Sequence, residues 1–97
     1  MPPTEGLIAA NEFCKYHNVQ LTFISILADA GLTEIVNIEE TPYIPEAQLE
    51  PLERMVRLHD ELDINPGGIE TIIHLCERIK ILHQKIRRLE NEISILR

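Results

Sequence analysis

Reactive side chains are sparse along this 97-residue chain, and their spacing decides what chemistry they can do. His59-Asp60-Glu61, with Asp63 close behind, has the residue types of a metal site. On a helix only Asp63, four residues on, shares the face of His59, while Asp60 and Glu61 point elsewhere. Two ligands fall short of a closed zinc site, which takes four. His74 and Glu77, or His83, read as surface groups beside the helical seam. Cys14 and Cys76 match no metal spacing, and both read as buried or half-buried free thiols in a reducing compartment. Ser25 and Ser94 have no histidine next to them in sequence. Gly67-Gly68 precedes a helical stretch but follows no strand, so it is not a phosphate loop. The expectation is a protein without catalytic residues, metal or cofactor.

The element that dominates the chain runs from Asn65 to Arg97. Ile72, Ile79, Ile86 and Ile93 fall seven residues apart, and Leu75, Leu82, Leu89 and Leu96 follow each by three. Ile at every a and Leu at every d, over four heptads, is the seam of a coiled coil. Asn65 suits the N-cap and Pro66 the first helical position. Gly67 and Gly68 weaken that first turn. A helix from Pro66 is about 45 Å long and overhangs a partner domain about 25 Å across. Its far end needs a second copy, so a homodimer is expected. In a parallel pair Lys85 meets Glu90 and Glu92 meets Arg97; an antiparallel pair is neither demanded nor forbidden by the charges. Ile73 can reach the N-terminal domain, while Ile81 and Ile95 lie off the seam without an obvious partner.

Charge is distributed unevenly. The formal net charge is −7, and residues 1–53 carry −8 of it with Lys15 as their only base. Residues 54–97 are near neutral at +1. A surface of this kind repels phosphate and attracts basic partners. With 44% hydrophobic residues the chain reads as globular, and with no Trp its core must be mainly aliphatic. The start, Met1 to Gly6, resembles no signal peptide, and no stretch is a membrane span. A cytoplasmic location is expected.

In chain order, Met1 to Glu5 is a loose start and Leu7-Ile8 a strand edge. Asn11 to His17 forms a short helix with Phe13, Cys14 and Tyr16 turned inward, and His17-Asn18 is a turn. A second helix opens at Gln20 or Thr22, carries Phe23, Ile24, Ile26, Leu27 and Ala30, and stops at Gly31. The pair has the pattern of a helix-turn-helix. Ile35 to Ile38 and Pro42 to Ile44 read as a hairpin, or wing, around Glu39-Glu40-Thr41, with Pro42 placing the second strand on an edge. Glu46 to Leu62 is helical in period, with Pro51 in the first turn and Leu49, Leu52, Val56, Leu58 and Leu62 on the inward stripe. The fold class expected is mostly α: a winged helix-turn-helix domain over residues 1–64 and a dimerisation helix over 65–97.

Several of these segments resemble a known family. Helix-turn-helix, wing, helix and long dimerising helix follow in the order seen in the MerR group, and Glu12-Phe13-Cys14, Gly31-Leu32, Glu40-Thr41 before Tyr43, Arg57 to Leu62, and Gly68-Ile69 before the heptads carry a closer resemblance to one branch of it. Within it the chain is similar to the chaperone modulators (CbpM-like proteins), over about residues 7–97. The resemblance implies a protein that binds the J-domain of a DnaJ/CbpA-like co-chaperone and restrains it. The second reading is a MerR-like dimeric DNA-binding regulator. A third is a bare dimerisation module. Charge separates the first two, because DNA affinity depends on neutralising phosphates with Lys or Arg. Here the second helix is uncharged near Ser25 and the wing carries Glu39 and Glu40. The expected partner face comprises Asp29, Glu34, Glu39 and Glu40, with Leu7 and Ile8 as apolar anchors.

Overall fold

A computed structural model describes residues 4–96. Met1 to Pro3 of the expected loose start, and the Arg97 end of the expected Glu92–Arg97 contact, lie outside the described residues. The elements are β1 (Leu7–Ala9), α1 (Ala10–His17), α2 (Leu21–Asp29), β2 (Val36–Ile38), β3 (Thr41–Pro45), α3 (Leu49–Leu62) and α4 (Pro66–Leu96). A 3-10 turn at Glu46–Gln48 leads into α3. The fold is mostly helical, with one small antiparallel sheet of strand order β1-β3-β2.

Local chemistry accounts for most boundaries. Asn18 ends α1 in the left-handed region at φ 55°, which Asn tolerates better than most residues. Gly31, at φ 79°, ends α2. Its N–H donates to the Ala28 carbonyl and that of Leu32 to the Leu27 carbonyl, the paired bonds of a Schellman cap. Asn65 caps α4, its Oδ1 accepting from the Gly68 N–H at 2.8 Å. Gly68 is required for a second reason. A Cβ there would stand 2.7 Å from Ile64 Cγ2, so the glycine that weakens the helical turn also lets the preceding link pack against it. Pro51 is the third residue of α3, where its missing N–H has no helical partner to lose.

The wing departs from expectation in one respect. The strand with Pro42 is not an edge; β3 lies between β1 and β2. Register explains the tolerance. Pro42 faces Asn37 of β2, and β1 pairs only with residues 43–45. With Ile38 and Thr41 closing the hairpin, the backbone nitrogen of Pro42 points away from β2, towards a side where β1 has already ended.

One core joins all four helices to the sheet. It contains Ala10, Phe13 and Cys14 of α1, Phe23, Ile24 and Leu27 of α2, Ile44 of β3, Leu52, Met55 and Val56 of α3, and Ile69 of α4. Ile73 packs against its edge, as its position implied. Tyr16, Ile26 and Leu62 do not join it. Tyr16 and Ile26 occupy the same place in their helices, roughly 100° around from the inward stripe at 100° per residue. His17 takes the inward position after Cys14, and Leu27 the one after Ile24. Leu62, in the last turn of α3, stands at an open groove between α3 and α4.

Beyond the core α4 runs free. The radius of gyration is 17.8 Å, against about 12.5 Å for a compact chain of this length. No helix among the described residues is long and apolar enough to cross a membrane.

Candidate protein-binding face

The helix-turn-helix and the wing converge on a shallow groove of about 500 Å³, lined by Leu21, Ser25, Ala28 and Asp29 of α2, the loop residues Thr33 to Ile35, and Asn37 and Pro42 of the wing. Asp29 and Glu34 are exposed along it. The outward side of α2 presents Thr22, Ile26 and Asp29 and no base. Thr33, one of the lining residues, has its Oγ1 buried without a hydrogen-bond partner among the described residues.

Glu39 and Glu40 form the two-residue turn between β2 and β3. Both lie in the left-handed region, at φ 50° and 66°, as a type I′ hairpin turn requires. Asn-Gly or Asp-Gly fits that turn best; an ordinary L-residue costs about 1–2 kcal/mol there. The wing tip thus holds two carboxylates on a backbone that disfavours them.

The six residues expected to meet a partner are not one patch. Asp29 and Glu34 share the α2–wing groove, and Glu39 and Glu40 form its neighbouring tip. Leu7 and Ile8 belong to β1, on the opposite edge of the sheet. Strands about 4.8 Å apart put the two edges roughly 10 Å from each other, well within the span of one protein partner. Both β1 residues are half-buried.

Two histidines have roles that their sequence context hides. His59 is not a solvated helix residue. Its Nδ1–H donates to the Ile64 carbonyl at 2.9 Å, and its ring stacks on Phe23 with centroids 4.5 Å apart. It thereby ties α2 to the α3–α4 link. His17 stacks on Phe13 at 4.3 Å and places Nε2 3.7 Å from Glu53 Oε1, joining α1 to α3. Sequence spacing carries no signal for the His59–Phe23 or His17–Glu53 contacts, which cross between helices. Among the described residues no group of three or more His, Cys, Asp or Glu is placed to hold a metal ion. Cys14 is buried, and desolvation pushes its thiol pKa up. Cys76 is not buried as expected but exposed on α4.

The expected heptad residues all lie on α4. Ile72 is half-buried against the domain, and Leu75, Ile79, Leu82, Ile86, Leu89 and Ile93 are each 52–53% exposed. Leu96, Ile81 and Ile95 are exposed as well.

Helix-turn-helix, hairpin wing, supporting helix and long terminal helix define a winged helix-turn-helix protein. Residues 8–91 match the family described as MerR HTH family regulatory protein, and the chain belongs to that family. No curated protein and no solved structure matched the chain.

Proposed function

We propose that this protein is a non-enzymatic chaperone modulator that binds the J-domain of a DnaJ/CbpA-like co-chaperone and restrains it. One observation carries the reading: the helix-turn-helix and wing, the usual DNA-contacting parts of such a fold, have no Lys or Arg between Tyr16 and Glu53 and end in Glu39-Glu40. The strained turn that holds these two carboxylates supports a role for them, because backbone strain persists where function retains it. A J-domain typically presents a basic helix, and opposite charge favours encounter and specificity. The resemblance to CbpM-like proteins supplies the choice of J-domain among basic partners.

The working form is a homodimer through Ile72, Leu75, Ile79, Leu82, Ile86, Leu89, Ile93 and Leu96. The heptad spacing of these residues, left without a cover within one copy, supports a coiled-coil seam completed by a second copy.

The test is the ATPase activity of a DnaK-type Hsp70 stimulated by the co-chaperone. Added in increasing amounts, this protein should return the rate towards the unstimulated level. Undiminished stimulation at saturating protein contradicts the reading. DNA binding is the second reading, favoured by the family match. It requires a complex with duplex DNA that weakens steeply with salt, and fluorescence anisotropy of a labelled duplex reads it.

A further inference from the structure

Tyr16 is 86% exposed and stands over a groove of about 440 Å³ between β1, α1 and α3. Ile8, Phe13 and Leu49 supply apolar walls, and Glu12 and Glu53 lie along the same groove. An exposed tyrosine beside an apolar cleft has the form of a binding anchor: its ring contributes area and its hydroxyl tolerates water. The charges around it narrow the occupant. Glu12 and Glu53 are both exposed acids, and Glu53 also lies 3.7 Å from His17 Nε2, which lines the same groove. Lys15 is the one base of α1, and Arg54 of α3 is engaged by Glu50.

An added strand does not fit this place. β1 offers three residues, the Leu7 N–H already donates to the Thr4 carbonyl at 3.0 Å, and α1 begins at Ala10. A helix laid into the groove has no such constraint. We propose that this groove takes one large apolar side chain from a basic amphipathic helix of the protein partner, with Tyr16 packed over it. Lys or Arg residues one turn away on that helix, about 5–6 Å from the anchor, meet Glu12 and Glu53. The inference rests on the proposed function in that the partner is a basic protein. It supplies an apolar contact on the β1 side of the sheet, away from the wing acids. The wing acids then govern how fast the partner arrives, and the groove governs how long it stays.

The experiment is stopped-flow or surface-resonance kinetics of the full-length protein with the J-domain of a CbpA-like co-chaperone from the same genome. Tyr16→Ala removes an exposed side chain together with its edge contact to His17, and circular dichroism verifies that the variant is folded. The expected result is dissociation at least tenfold faster, with the association rate within twofold of wild type. Glu12→Lys should weaken binding severalfold at low salt and by less at high salt. Wild-type dissociation kinetics in Tyr16→Ala, alongside clear wild-type binding, overturns the groove and leaves the proposed function standing. Absence of binding by the wild-type protein overturns both.

Discussion

Ile24 and Ile86 are the same residue type, each in the interior of a helix, yet Ile24 is fully enclosed and Ile86 is 52% exposed. The contrast extends to the regions around them. Up to Ile69 the chain closes a core within one copy, drawing on every helix. From Leu75 to Ile93 the apolar side chains are equally regular but each retains about half its surface in water. Fully burying a Leu or Ile contributes about 1.5–3 kcal/mol, so each seam residue has on the order of 1 kcal/mol still to gain from a partner. One region is folded by its own contacts, and the other leaves its regular apolar side chains half in water within a single copy, which the proposed dimer would cover. The two therefore respond differently to the same substitution.

The largest expected effect is on the seam as a whole. Leu82→Asp together with Leu89→Asp should give a monomer, and light scattering should show the mass halved. A retained dimer removes the coiled-coil account. Single truncations sharpen the comparison. Ile24→Ala should lower unfolding free energy by about 2–5 kcal/mol while leaving the dimer dissociation constant within threefold. Ile86→Ala should raise that constant tenfold or more, because both copies lose a contact and tenfold corresponds to about 1.4 kcal/mol. Sedimentation equilibrium and denaturant titration read the two quantities; equal responses would erase the distinction between the regions.

Smaller effects belong to single turns. Glu39→Asn with Glu40→Gly should stabilise the fold by about 1 kcal/mol, since both residues suit the left-handed turn. The same change should slow J-domain association severalfold at low salt. A faster or unchanged on-rate would mean that these carboxylates do not steer. Asn65→Ala should cost about 1 kcal/mol through loss of the cap to Gly68, measured by thermal unfolding. The smallest difference is chemical. Cys76 should react with a thiol reagent sooner than Cys14, whose burial holds its thiol protonated. Labelling in the reverse order would contradict the packing around α1.

Much of this arrangement was legible beforehand because it rests on local rules. Heptad spacing marked α4, Asn65-Pro66 marked its start, and Gly31 marked the end of α2. The hairpin was visible from its β-branched run and polar turn. Features that depend on one element meeting another were not. Met55 belongs to the core and was missed, because Leu52 and Val56 already described a plausible stripe. Tyr16 was assigned inward from its aromatic character, yet His17 fills that side by reaching Phe13 and Glu53. The central place of β3 follows from β1 joining it across the 31 residues between the two strands, which no local signal encodes. Likewise the expected partner face combines four acids beside the α2–wing groove with Leu7 and Ile8; Ile8 lines the β1–α1–α3 cleft, but Tyr16, Leu49 and Glu53, which share that cleft, come from other elements and carry no sequence signal of meeting there.

The most direct measurement is a calorimetric titration of the folded protein with the J-domain of the CbpA-like co-chaperone. The account predicts a saturable isotherm with micromolar or tighter affinity, weakening as salt is raised. No heat of binding at any salt concentration, from a sample shown to be folded and accompanied by salt-sensitive binding to duplex DNA, would contradict it.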